Sequence, residues 1–123
     1  MDLYRETLLE NFKNKANRGR LSNPSISKNS SNPLCGDSLA MDVMVKDGKI
    51  VDIKFEGSGC AVSMAATSML IDKVVGLHIE DAKKITKDQL INEINPNLTL
   101  SRIKCATLGY NSLMEALSDL DKS

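Results

Sequence analysis

The stretch from residue 38 to residue 56 constrains the fold most, because apolar and polar residues alternate on both sides of Asp47-Gly48. Alternation with a period of two is typical of strands that bury one face, and Asp-Gly is a common hairpin turn. A two-residue turn would place Asp52 opposite Val43 and bring charge onto the apolar face. The sequence therefore predicts a three-residue loop, residues 46–48. The pairs set by this loop are Val43 with Val51, Met41 with Ile53, and Leu39 with Phe55.

Helical periodicity lies on both sides of this hairpin. The spacing of apolar residues predicts a first helix at about 2–13, a second from Cys60 to just before Gly76, and a last helix from about Ile103 onward. Shorter helical segments are predicted from Thr86 to Ile94 and within 79–85. This order of elements predicts an α+β fold, in which helices pack on one face of a small antiparallel sheet.

The segment that precedes the hairpin is rich in Asn, Ser, Gly and Pro. Such a composition between Asn14 and Pro33 is typical of irregular chain, and long irregular segments in compact domains are often functional or mobile. We therefore predict one domain, residues 1–123, with a mobile loop at about 14–34. The loop ends next to Cys35.

Composition excludes several classes of protein. Sixteen basic residues balance sixteen acidic ones, so no net field would draw the chain to nucleic acid or to an anionic membrane. Charged residues interrupt the first ten positions, and the uncharged run from Gly57 to Ile71 is too short to span a bilayer. We expect a cytoplasmic protein without nucleic-acid or membrane partners.

The three cysteines indicate the chemistry. An odd number of cysteines in a reducing compartment argues against a disulfide framework. Cys35 and Asp37 are two residues apart at the predicted start of a strand, so their side chains would point the same way. Cys60 and Cys105 are each predicted to begin a helix. Together, Cys35, Asp37, Cys60 and Cys105 supply the four donors that a tetrahedral zinc or iron site needs.

Simpler interpretations exist for each of these residues. A free cysteine is often only a small buried hydrophobic residue, and an aspartate often caps a turn. Three cysteines, each beside a glycine or a helix start, favour the metal site over these alternatives. Lys104 is a candidate cation beside the site, although an ordinary solvated lysine is the simpler interpretation.

Three separated motifs carry a family resemblance: Asn32-Pro33-Leu34-Cys35-Gly36-Asp37, Phe55-Glu56-Gly57-Ser58-Gly59-Cys60, and Arg102-Ile103-Lys104-Cys105. The chain resembles the iron-sulfur cluster assembly proteins of the IscU and SufU type, also called the NifU N-terminal family. The resemblance implies a SufE/NifU-like fold. The lysine directly before the third cysteine, Lys104, resembles the SufU branch of the family. The short separation of Cys60 and Cys105 resembles the IscU branch instead.

The resemblance also implies a function for the four donors. In that family they bind zinc or an assembling cluster, and a cysteine accepts sulfur from a cysteine desulfurase of the SufS or IscS type. We expect Cys35 to be the acceptor and Cys105 to be the second choice, with Asp37 assisting ligand exchange. Zinc, iron or a transient [2Fe-2S] cluster are the expected cofactors, and iron-sulfur acceptor proteins are further expected partners.

Other functions are also compatible with this site. The main alternative is a structural zinc domain that binds proteins without transferring sulfur. A zinc hydrolase or deaminase would need a His-x-Glu pairing of a metal ligand with a general acid/base, whereas His78, the only histidine, is most simply a surface residue near a helix end and outside this site. The sequence therefore favours a sulfur relay or a cluster scaffold over a conventional enzyme.

Overall fold

The computed structural model of the protein describes residues 3–32, 36–95 and 97–121. Within them, three strands form one antiparallel sheet in the order β1-β2-β3, and six helices accompany it. The strands are β1 Ile26–Asn32, β2 Asp37–Lys46 and β3 Lys49–Ser58. The helices are α1 Leu3–Lys13, α2 Ala61–Val74, α3 Ile79–Lys83, α4 Lys87–Ile94, α5 Leu100–Ala106 and α6 Leu108–Asp121. The predicted α+β fold is confirmed.

The turn between β2 and β3 differs from the prediction. Lys46 pairs with Lys49, so the turn contains two residues, Asp47 and Gly48, which have φ values of 54° and 76°. Two positive φ values are what a type I′ hairpin turn requires. The predicted three-residue loop is therefore wrong.

A β-bulge explains how a two-residue turn still buries the apolar face. Val45 pairs with Ile50 but Met44 pairs with Asp52, so Val51 is an extra residue in β3. The bulge leaves Ile50 and Ile53 buried, whereas Val51 is 39% exposed. The predicted pairs are also wrong, since the observed ones are Val43 with Ile53, Met41 with Phe55, and Leu39 with Gly57.

A strand lies where irregular chain was predicted. β1 pairs with β2 along its whole length, from Ile26 opposite Val43 to Asn32 opposite Asp37. Because β1 is an edge strand made mostly of Ser and Asn, its sequence lacks the apolar alternation by which strands are recognised. The irregular structure predicted for 14–33 is thus wrong for 26–32. The mobility predicted for this loop stays a prediction.

The polar segment before β1 is tied to the sheet by charge. Arg20 donates two hydrogen bonds of 2.8 Å to the buried Asp42 carboxylate, and the Leu21 amide and the Ser27 hydroxyl donate at 2.9 and 2.6 Å. The Arg20 hydrogen bonds hold the pKa of Asp42 well below its usual range, although burial acts in the opposite direction. Residues 17 and 19 also exchange backbone hydrogen bonds with Phe55.

The hydrophobic core lies between the sheet and the helices. The sheet contributes Leu39, Met41, Val43, Ile53 and Phe55, and α2 contributes Met64, Leu70, Ile71 and Val74. α6 completes the core with Leu113, Ala116 and Leu117. In the part of the chain that the structure describes, no helix combines the length and the apolar composition needed to span a bilayer.

The helix predictions are confirmed in part. α2 follows Cys60 as predicted, and α4 begins at a capping box in which Thr86 and Gln89 satisfy each other's amides. The last helix does not begin near Ile103. Thr99 caps an earlier helix, α5, because its hydroxyl accepts a hydrogen bond from the Arg102 amide at 3.4 Å. The helix is interrupted at Thr107, and α6 follows it. Cys105 consequently lies in the last turn of α5, where the sequence placed a helix start.

Candidate metal centre

Three of the predicted donors converge at one end of the sheet. One ligand atom from each of Asp37, Cys60 and Cys105 lies within 4.8 Å of the other two. Asp37 is the first residue of β2, Cys60 precedes α2, and Cys105 belongs to α5. Asp37 and Cys105 are buried, at 2% and 5% exposure, and Cys60 is half-buried. The sequence thus correctly predicts that these three distant residues meet.

The start of α2 holds the carboxylate and the thiol together. The Cys60 amide donates to Oδ1 of Asp37 at 3.1 Å, and the Cys60 Sγ atom lies 3.8 Å from Oδ2. The same sulfur accepts a hydrogen bond from the Ser63 amide at 3.5 Å, so Cys60 is the N-cap of α2. Unpaired amides and the helix dipole favour negative groups at this position.

A glycine leaves room for the carboxylate. A Cβ atom on Gly59 would lie 2.9 Å from Oδ1 of Asp37 and 3.1 Å from Cε of Met64. Only a residue without a side chain fits here, so Gly59 helps to set the position of Asp37. Sequence reasoning missed this role, for which the signal is the glycine directly before the cysteine.

An open cavity gives access to the two sulfurs. Its volume is about 290 Å³, and it is lined by Cys60, Ser101, Arg102 and Cys105. Sequence reasoning did not select Ser101 or Arg102, whose proximity depends on α5 beginning at Leu100. The sulfurs are therefore within reach of a reactant or a partner side chain.

The remaining predicted site residues have different outcomes. Cys35 lies outside the described residues, so its place at the site stays a prediction. It is joined to Asp37 by Gly36, whose φ of 70° is one that glycine adopts readily. Lys104 is exposed and lines a separate cleft together with Lys87.

The donors fit a divalent zinc or iron ion. The Asp37 carboxylate is buried, and no Lys, Arg or His among the described residues forms an ion pair with it. A buried carboxylate beside two thiols is costly without a compensating cation. Sulfur donors favour soft or borderline metals, and one carboxylate is compatible with either ion. Zinc prefers four donors, which leaves one position for the predicted Cys35.

Comparison with known proteins gives the family. The model of the NifU-like N terminal domain matches residues 3–123. The chain belongs to this family. A SufU structure from Fervidobacterium islandicum, described as a putative iron-sulfur cluster assembly scaffold protein for the SUF system, superposes with a TM-score of 0.83 at 28% identity, covering 91% of this chain and 94% of that one. The N-terminal part of a NifU-like protein from Brucella abortus, at 17% identity and a TM-score of 0.81 over 98% and 96% of the two chains, shows the same fold.

Two curated relatives of this NifU-like chain have names that state a function. The iron-sulfur cluster assembly scaffold protein IscU of Thermotoga maritima is 30% identical over 98% of this chain and 96% of its own length. The zinc-dependent sulfurtransferase SufU of Bacillus subtilis is 37% identical over 94% of this chain and 90% of its own length. Similarity to both kinds of protein agrees with the mixed IscU and SufU features of the sequence.

Proposed function

We propose that this chain is an iron-sulfur cluster assembly protein of the cytoplasm, which binds zinc or iron through Cys35, Asp37, Cys60 and Cys105. The observation that carries the proposal is the convergence of Asp37, Cys60 and Cys105 from three separate elements within 4.8 Å. Membership of a family whose relatives are named as cluster scaffolds and as a zinc-dependent sulfurtransferase supports it. Its partners would be a cysteine desulfurase and iron-sulfur acceptor proteins.

The protein's own residues prepare the site for thiol chemistry. A bound divalent ion would keep the cysteines deprotonated and offset the charge of Asp37. The Cys60 amide fixes one oxygen of Asp37, and the Ser63 amide hydrogen-bonds the Cys60 sulfur. Cys60 is thereby held at the start of α2, and Asp37 presents its second oxygen toward it.

Sulfur uptake would occur at the predicted acceptor, Cys35. Its thiolate attacks the terminal sulfur of a persulfide on the desulfurase, so a new sulfur-sulfur bond forms on Cys35 as the old one breaks. The desulfurase cysteine leaves as a thiolate, and no external oxidant or reductant is required. Cys105 is the alternative acceptor, because it lines the open cavity beside Cys60.

The same donors could carry a nascent [2Fe-2S] cluster as cargo. Iron-sulfur clusters are held mainly by cysteine thiolates, and three of the four proposed donors are cysteines. The cavity of about 290 Å³ at Cys60 and Cys105 leaves the cargo accessible to an acceptor protein. This accessibility disfavours the alternative of a purely structural zinc domain, whose ligands would be closed to exchange.

The decisive experiment is a persulfide assay. The purified chain is incubated with a cysteine desulfurase and isotopically labelled cysteine, and mass spectrometry locates labelled sulfur on each of the three cysteines. We expect labelled persulfide on Cys35 and its loss in Cys35→Ala. The matched variants Cys60→Ala and Cys105→Ala should lower metal content together with Cys35→Ala, because the three thiols share one ion.

Each possible failure has a distinct meaning. Labelled sulfur on Cys105 instead of Cys35 would reassign the acceptor. Absence of label on every cysteine, with metal fully bound, would favour the structural zinc domain. Metal retained by all of the single variants would contradict a shared site.

A further inference from the structure

A second cleft, distinct from the cavity at Cys60, lies between the end of β1, the start of α4 and the junction of α5 with α6. It has a volume of about 360 Å³. Lys87 and Lys104 line it, together with the polar side chains of Asn32 and Asn111 and the apolar side chains of Ile103 and Leu108. We call it the lysine cleft.

The charge of the lysine cleft is entirely positive. None of the described residues that line it is an aspartate or a glutamate. Neither Lys87 nor Lys104 forms an ion pair with any residue that the structure describes. The Lys87 ammonium lies 6.0 Å from the centroid of the Tyr110 ring, at the outer limit of a cation-π contact. Because the chain as a whole has zero net charge, the lysine cleft is a local region of positive charge that can attract anionic groups.

The size and exposure of the cleft favour a protein segment over a small ion. Both lysines are exposed, so water and salt would screen their attraction for a single small anion. A peptide segment can supply several carboxylates to Lys87 and Lys104, and it can also place an apolar side chain on Ile103 and Leu108. The amide of Asn111 can pair with its backbone.

The lysine cleft adjoins both chain segments that lead to cysteines of the proposed site. Lys104 directly precedes Cys105, and Asn32 is separated from Gly36 by residues 33–35, which include Cys35. We propose that the lysine cleft docks an acidic segment of the desulfurase that supplies sulfur to this chain. The proposal rests on the proposed function, because it names the partner of that same site.

Calorimetric titration of the chain with a cysteine desulfurase tests the docking directly. The variant carries both Lys87→Gln and Lys104→Gln, and the control carries Lys46→Gln and Lys49→Gln, which remove the same charge at the tip of the β2-β3 hairpin. We expect the cleft variant to bind the desulfurase about three- to tenfold more weakly, with a shallower salt dependence and unchanged metal content. The hairpin control should bind like the wild type.

Several results would overturn the docking proposal. These are the absence of binding by the wild type, equal affinities of the cleft variant and the wild type, or an equal loss in the hairpin control. A cleft variant that loses binding of inorganic phosphate alone, but keeps full desulfurase affinity, would show a small-anion site instead.

The persulfide assay separates this proposal from the proposed function. Sulfur uptake that does not depend on the two lysines would leave the proposed function standing and exclude the docking site. Lysine-dependent binding without sulfur uptake would support the docking site and exclude sulfur transfer.

Discussion

At the scale of single residues, the position of the Asp37 carboxylate depends on Gly59 having no side chain. Gly59 has a φ outside the left-handed region, so its backbone accepts alanine, yet a Cβ there would lie 3.0 Å or less from the Asp37 carboxylate. Real Cβ contacts are almost never that short, so either Asp37 or the chain before Cys60 would have to move. The effect should therefore fall on the site more than on the fold.

We expect Gly59→Ala to weaken zinc binding by about tenfold or more, as changes beside metal ligands commonly do. The exposed neighbour Ser58→Ala is the matched control and should bind zinc like the wild type. Zinc content and competition with a chelator measure the effect, and circular dichroism checks the fold. Wild-type zinc affinity in a folded Gly59→Ala variant would show that Asp37 is not held by this contact.

Residue types predicted which of the described side chains meet better than they predicted the surroundings of those side chains. Cysteines and a nearby aspartate are chemically distinctive, so the convergence of Asp37, Cys60 and Cys105 could be foreseen from the sequence. The role of Gly59 could not, because it depends on where the carboxylate of a residue 22 positions earlier comes to lie. The shared cleft of Lys87 and Lys104 could not be predicted either, since these two residues, 17 positions apart, come to line one cleft only in the fold.

At the scale of elements, close contacts between helices set the positions of Cys60 and Cys105 relative to each other. α6 begins directly after the break that ends α5, and its Gly109 packs on Thr67 of α2. A Cβ atom on Gly109 would lie 2.3 Å from the Thr67 hydroxyl oxygen. This contact fixes the distance of α2 from the α5-α6 junction, and hence from Cys105.

Gly109→Ala should lower the free energy of unfolding by about 1–3 kcal/mol, because the helices must separate to admit a methyl group. Thr67→Ala removes the atoms nearest to the new methyl group, so the double variant should regain part of the loss. Urea denaturation of the two single variants and the double variant measures the coupling. Strictly additive effects would contradict the contact, because residues that touch are expected to couple.

Elements were predictable where the local signals agreed with the tertiary contacts. Thr86 and Gln89 form the capping box that begins α4, and its bounds follow the sequence closely. The bulge at Val51 was missed, because a longer loop and an extra residue in β3 both reconcile the alternation with a turn at Asp47-Gly48, and the pattern alone does not distinguish them. The early start of α5 was missed since Thr99 caps a helix whose first turn is exposed.

At the scale of the whole molecule, an ion pair between the exposed Arg20 and the buried Asp42 secures the segment that crosses the sheet before β1. Asp42 is 1% exposed and accepts hydrogen bonds from Arg20, Leu21 and Ser27. Its pKa is held below the usual value, mainly by the Arg20 hydrogen bonds. The resulting stability is present above the unfolded-state pKa of about 3.9, and it is lost as the pH falls toward the folded-state pKa.

Asp42→Asn should therefore lower the free energy of unfolding by about 1–3 kcal/mol at pH 7. The difference from the wild type should narrow below about pH 4, where the wild-type carboxylate begins to lose its advantage. Asp52→Asn on the same hairpin is the control and should change stability little at either pH. Denaturant titrations at pH 7 and pH 3 measure this, and a difference that stays constant would contradict the role of the charge.

The Cys60 sulfur does more than face the proposed site, because it is also the acceptor for the Ser63 amide in the first turn of α2. Any alkylation or oxidation that turns this sulfur away leaves that amide without its partner. The rate at which the Ser63 amide takes up deuterium from solvent would then rise. The rate of deuterium exchange at the Ser63 amide therefore reports whether the Cys60 thiol has been modified.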